Sequence, residues 1–301
     1  MRGPRTVEKE EGIGRSVGDD LRRRLLAGAP VTERRLDLAG VATAVLEGGD
    51  GPPVVLLHGQ GGWAGVWVPV MGDLGRDHRV VAPDLPGLGA SRVDGAAPTA
   101  DRVLAWLGEL LDRTCPAPPV LVGVSLGGSI AARFAAAHGD RLAGLVLVSM
   151  GGLVGKVRIP PPMLLALVRH GLRPTERSAM GMLRQVSVDV DRARRRMGDR
   201  WAPFRAYSLE LARTPSVRRA NRQLLRELGL RQLPPEEVAR IDVPTTLIWG
   251  RQDRVMPLAT PREASVRYGW PLDVIDDAGH FLGVDQPEAF LQALRRAVDQ
   301  G

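Results

Sequence analysis

Six short runs rich in valine, isoleucine and leucine constrain this chain more than any other feature. They are "PPVVLLHG" (52–59), "HRVVAPDLPG" (78–87), "PPVLVGVS" (118–125), "AGLVLVSM" (143–150), "PTTLIWG" (244–250) and "WPLDVIDDAGH" (270–280). Runs that are apolar without alternation suit strands buried on both faces, and most of these are separated by a helical stretch. That pattern predicts an α/β fold with a mostly parallel sheet between helical layers. Two earlier runs, "VTERRLDLAG" and "VATAVLEGGDG", break at Gly40 and read as a hairpin.

One interval is far longer than the rest. From Gly151 to about Arg240 no strand pattern occurs, but helical ones do: "PPPMLLALVRHG" opens on prolines and stops at Gly171. "TPSVRRANRQLLRELG" has Thr214 as N-cap, Pro215 at the first helical position, Val217, Leu224, Leu225 and Leu228 on one face, and Gly229 as terminator. The expected organisation is therefore an N-terminal extension over 1–30, a first core part over 31–150, an inserted helical cap over 151–240 and a second core part over 241–301. Within the extension, "DDLRRRLLA" (19–27) reads as a short helix ended by Gly28, and what precedes it as loose.

The 301 residues carry a formal charge of +7, yet residues 151–240 alone hold nineteen Lys and Arg against eight Asp and Glu. Aromatic residues are scarce there, which argues against a stacking platform for nucleic acid. The charge reads as solvated helix faces, with an anionic or carrier-bound small-molecule substrate as the sharper expectation. Cys115, the single cysteine, has no partner and points to a reducing, cytoplasmic setting. The N-terminus has no apolar signal run, and no segment is long and apolar enough for a membrane span. Neither a cofactor nor a metal is expected.

Gly123, Ser125 and Gly127 form GxSxG between an apolar run and the helical "LGGSIAARFAAAHG". In a strand-to-helix turn that sharp, positions two before and two after the serine must be small, and the hydroxyl is pushed outward. The alternative is a serine that merely caps the helix. A hydroxyl needs a base to become nucleophilic near neutral pH, and five histidines are available: His58, His78, His138, His170 and His280. His280 lies in the loop past the last predicted strand, where a parallel sheet gathers its chemistry. Asp253, just past "LIWG", is the candidate acid, with a salt bridge to Arg251 or Arg254 as its structural alternative. Asp276 and Asp277 lie too close in sequence to His280 to reach around its ring, and Asp84 is read as a turn-forming residue.

With these residues placed, the sequence resembles the α/β-hydrolase superfamily over nearly all of residues 31–301. "LLHGQGG" looks like its oxyanion loop, "VVAPDLPGLGAS" its next strand and turn, "GVSLGG" its elbow, and "WGRQDRVMP" and "AGHFLGVDQPEAF" its acid and base segments. The resemblance implies an eight-stranded sheet, a cap after the sixth strand, and Ser125, Asp253 and His280 as a catalytic triad. It also implies the backbone amides of Gln60 and Leu126 as oxyanion donors. Trp63, Trp67, Met150, Leu153 and Phe281 either line the pocket or pack in the core. The expected activity is hydrolysis of a small or medium, largely apolar ester, thioester or lactone through an acyl-enzyme. The alternatives are a meta-cleavage-type carbon-carbon bond hydrolase, a lyase, cyclase or perhydrolase, and a non-enzymatic ligand receptor.

Overall fold

The computed structural model describes residues 17–95 and 98–300, so the first sixteen residues of the expected extension lie outside the described residues. The chain opens with α1 (Val17–Leu26), the hairpin β1 (Thr32–Leu38) and β2 (Val41–Gly48), then β3 (Pro53–Leu57), α2 (Val68–Leu74) and β4 (Arg79–Pro83). A two-residue strand β5 (Arg92–Val93) precedes α3 (Ala100–Thr114), β6 (Val120–Val124), α4 (Leu126–His138) and β7 (Gly144–Val148). Six helices follow without a strand: α5 (Pro161–Leu172), α6 (Glu176–Val186), α7 (Val190–Met197), α8 (Trp201–Arg213), α9 (Pro215–Leu224) and α10 (Pro235–Val238). The chain closes with β8 (Thr245–Gly250), α11 (Ala259–Tyr268), β9 (Leu272–Ile275), α12 (Leu282–Asp285) and α13 (Pro287–Val298).

The sheet runs β1-β2-β4-β3-β6-β7-β8-β9, with β5 added on β2 as a ninth strand that the sequence pattern was too short to announce. The β1–β2 and β2–β4 pairs are antiparallel, and every pair from β4 to β9 is parallel. Each central strand feeds two cores by simple alternation. Val55 and Leu57 of β3, Leu121 of β6 and Leu145 and Leu147 of β7 join the cluster under α3, α4 and the long helical interval. Val54, Leu56, Val120, Val122, Val146 and Val148 join the opposite one with α2 and α13. Side chains of neighbouring residues leave opposite faces of a strand, so an unbroken apolar run is what a sheet covered on both sides requires.

The second half of the extension is built into the fold. Arg22 and Leu25 of α1 are buried, and Gly28 (φ +73°) takes the left-handed turn that ends the helix. Arg22 lies 2.8 Å from Asp84 and 3.1 Å from Glu33. It also donates to the Tyr207 hydroxyl of α8 at 3.3 Å and stacks 4.6 Å over the Trp63 ring. Burial alone would lower the pKa of this guanidinium; Asp84, with Tyr207 and Glu33, outweighs that and raises it. Asp84 does form the expected turn, accepting from Ala90 N at 2.7 Å, but it is also the buried counter-ion of a helix sixty residues upstream.

In α9, Thr214 stands at the N-cap with Pro215 first in the helix, and Val217 and Leu224 are buried with Leu228 of the following π-helical turn. The Thr214 hydroxyl does not cap, however. It donates to Glu210 O at 2.9 Å, because the same residue ends α8 and an orphan carbonyl lies within reach.

Candidate active site

Leaving β3, the chain goes first to β4 on one side and later to β6 on the other, so the carboxyl ends of β3 and β6 flank a topological switch point. Ser125 stands there, with φ 53° and ψ −114°, a conformation that L-residues avoid. Neighbouring glycines make it attainable. A Cβ on Gly123 would lie 2.4 Å from Gly127 O, and one on Gly127 would lie 2.4 Å from Leu57 O. The Ser125 amide donates to Val148 O at 2.9 Å, which anchors the turn to β7. Its hydroxyl makes no capping bond to α4, so the capping alternative does not hold.

Asp253 and His280 come together because their loops are zipped by backbone bonds. Arg251 N donates to Ile275 O and Gln252 N to Ala278 O, both at 2.9 Å, and Trp249 Nε1 closes the acid loop on Met256 O at 2.8 Å. Gly250 permits the approach, since a Cβ there would stand 2.2 Å from Gly279 O. Asp253 is buried; one carboxylate oxygen accepts from the amides of Val255 and Met256 at 2.8 Å each, and the other lies 3.0 Å from His280 Nδ1. Arg251 pairs with Asp276 instead, so that bridge is not formed with Asp253. A carboxylate at Nδ1 selects the tautomer with the proton there, leaving the Nε2 lone pair free to accept one.

The other histidines are engaged elsewhere. His78 lies 3.6 Å from Asp299, His138 packs on Phe134, and His170 Nδ1 lies 2.9 Å from Ser178 Oγ. His58 is fully buried, and that burial lowers its pKa and keeps it neutral. Its Nε2 accepts from Leu85 N at 3.0 Å, so Nδ1 carries the proton toward Gly59 O at 2.8 Å. The neutral ring thus shapes the loop in which Gln60 lies, and a Cβ on Gly59 would lie 3.4 Å from Ser125 Cβ. Gly61 N in this loop donates to Asn221 of α9 at 3.0 Å. Leu126 opens α4, where first-turn amides have no helical carbonyl to reach.

The expected lining residues separate. Trp63, Met150 and Leu153 lie in the cluster that contains Leu126, Tyr207 and Leu228, and Phe281 faces Phe204 of α8 with ring centroids 6.4 Å apart. Trp67 belongs to the opposite cluster, stacked on Phe290 of α13 at 6.2 Å, and its role is packing between α2 and α13.

Asp285 escaped sequence reasoning. An acid two residues ahead of Pro287 has the local pattern of a helix cap, yet Asp285 is 1 % exposed and its carboxylate is engaged by residues outside that helix. It accepts from Ser187 Oγ at 2.5 Å, from Val188 N at 3.1 Å and from Gly279 N at 2.8 Å. Phe281 N donates in turn to Val186 O at 2.8 Å. His280 is therefore bracketed by two amides, one tied to Asp285 and the other to the end of α6.

Residues 54–293 match the sequence profile described as "Alpha/beta hydrolase family". The chain is 28% identical over 275 residues to the 2-hydroxy-6-oxo-6-(2'-aminophenyl)hexa-2,4-dienoic acid hydrolase of Metapseudomonas resinovorans, covering 87% of this chain and 89% of that one. It is 33% identical over 260 residues to the pimeloyl-[acyl-carrier protein] methyl ester esterase of Chromobacterium violaceum, covering 83% and 96%. In fold it is similar to the 2-hydroxy-6-oxo-6-phenylhexa-2,4-dienoate hydrolase of Rhodococcus sp. strain RHA1, with a TM-score of 0.77 and 24% identity over 89% of this chain and 98% of that one.

Proposed function

The chain belongs to the alpha/beta hydrolase family and is a hydrolase, and from that premise we propose that it cleaves a small or medium, largely apolar carboxylic ester through a Ser125 acyl-enzyme. The observation that carries this reading is the 3.0 Å bond between His280 Nδ1 and buried Asp253, in the loops past β8 and β9. Ser125 Oγ attacks the carbonyl carbon while His280 Nε2 takes its proton. Asp253 holds the ring in that tautomer and offsets the charge of the imidazolium. The oxyanion meets the backbone N–H groups of Leu126 and Gln60, each contributing about 3–4 kcal/mol to the transition state. Collapse of the tetrahedral intermediate expels the alcohol, which takes the proton from His280. Water, deprotonated by the same ring, then releases the acid.

In this reading the helices of 151–240 act as the cap, and Trp63, Met150, Leu153 and Phe281 bound the acyl pocket. Likeness to the Chromobacterium esterase, together with the cationic interval, favours an acidic or carrier-linked ester. The test is a panel of chromogenic esters of graded acyl length, run beside Ser125→Ala and Asp253→Asn, with mass spectrometry of a phosphonate-treated sample. Expected are a covalent adduct on Ser125, no turnover by Ser125→Ala, and a loss of about 10³–10⁴-fold in kcat for Asp253→Asn. Unchanged turnover in Ser125→Ala overturns the reading. A second reading, carbon-carbon bond cleavage, is favoured by the likeness to the Metapseudomonas enzyme. Turnover of a 2-hydroxy-6-oxo-dienoate with none of any ester would select it.

A further inference from the structure

Seven large apolar side chains are strongly exposed among the described residues: Val17, Leu164, Leu165, Val168, Leu172, Leu230 and Val266. Four of the seven lie on α5, exposed from 48% at Val168 to 78% at Leu172. At about 100° per residue, Leu164, Leu165, Val168 and Leu172 occupy one stripe about 100° wide. Met163, the buried residue of this helix, points the other way. The helix is thus amphipathic in reverse, with its apolar face turned to solvent.

On and beside that stripe the charge is predominantly positive. Lys156, Arg158, Arg169, Arg173 and Arg177 are exposed on and beside α5. The one carboxylate in residues 155–180, Glu176, is paired with Arg205 of α8. A coherent apolar face needs a cover, and the ring of cations selects it. A symmetric pairing of two copies through this face would set five cations against five, whereas an anionic lipid surface accepts both the leucines and the charges.

We propose that α5 is an interfacial docking helix, which lays Leu164, Leu165, Val168 and Leu172 into the headgroup boundary of an anionic phospholipid bilayer while the surrounding lysine and arginines meet lipid phosphates. This inference is independent of the reaction at Ser125.

Flotation of the full chain with unilamellar vesicles tests it. One set contains three parts phosphatidylcholine to one part phosphatidylglycerol, the other phosphatidylcholine alone. Expected is partitioning at least ten-fold stronger to the anionic vesicles, weakened at high salt. Leu164→Glu/Leu172→Glu and, separately, Arg169→Glu/Arg173→Glu should each lose at least ten-fold, with hydrolysis of a small, soluble, uncharged ester unchanged. Absence of binding, or variants that bind like the parent, overturns the proposal. So does a dimer in light scattering that the leucine variant dissociates, because a second copy then covers the stripe. A markedly lower melting temperature of a monomeric leucine variant overturns it as well, because the cover then belongs to the chain itself.

Discussion

Replacing Asp285 by asparagine changes one oxygen to an NH2 group and leaves the side-chain volume nearly unchanged, so its cost can be worked from hydrogen bonds alone. The carboxylate accepts from three donors: the Ser187 hydroxyl, the Val188 amide and the Gly279 amide. If the asparagine oxygen serves Ser187 and Val188, its NH2 group faces the Gly279 N–H, and two buried donors lose their acceptor. At roughly 1–3 kcal/mol per buried orphan, the loss is about 3 kcal/mol. For a chain of this size that lowers Tm by roughly 5 °C. Gly279 precedes His280, so the base loop loosens as well, and a fall of about ten-fold in kcat with KM nearly unchanged is expected, since small misplacements of catalytic groups are costly. Ser187→Ala removes one donor and leaves the carboxylate its two amides, so it should cost only about 1 kcal/mol. Thermal unfolding and steady-state ester hydrolysis, measured well below both melting points, check the pair. An Asp285→Asn variant with unchanged Tm and kcat would refute the reasoning.

Gly250→Ala should cost about 3 kcal/mol or more and also depress kcat, because its methyl group would stand 2.2 Å from Gly279 O and push the Asp253 and His280 loops apart; denaturant titration and kcat measure both. Arg22→Ala should cost about 3–5 kcal/mol by leaving Asp84 buried beside no cation, although Arg22 lies in the N-terminal helix; urea midpoints decide, and a change within about 0.5 kcal/mol would count against the buried pair. His58 sets a pH dependence: its folded pKa lies below the ordinary 6.5, so above about pH 6.5 its contribution is complete. As pH falls, the unfolded chain takes up the proton and the folded one does not, so up to about 1.4 kcal/mol is lost per pH unit. His170 is shifted in the same direction by burial and Arg218, so the comparison is with His58→Gln, whose stability should fall less steeply between pH 7 and pH 5. Equal slopes would contradict it.

Strand positions, the sharp turn at Ser125 and the pairing of His280 with Asp253 were legible in the chain because each is written locally. An apolar run states that both faces are covered, and it does so within five residues. Glycines two positions either side of Ser125 announce a tight turn, in which a Cβ on Gly123 would meet Gly127 O and one on Gly127 would meet Leu57 O. His280 could be chosen because the rivals were few and only it followed the last strand. Other features were not legible from pattern. The ninth strand is two residues long, below any periodicity, and the cap position of Thr214 was readable whereas the direction of its hydroxyl was not.

By itself, then, the sequence determined the alternation of buried strands and helices and the geometry of the turn at Ser125, since both follow from periodicity and from steric limits within a few residues. Tertiary structure alone decided that Arg22 meets Asp84, that Asn221 holds the Gly61 amide and that Asp285 joins Ser187 to Gly279. The physical reason is that an arginine or aspartate suits many partners equally well in sequence, and only the folded chain brings one pair within 3 Å and removes the water that would otherwise compete.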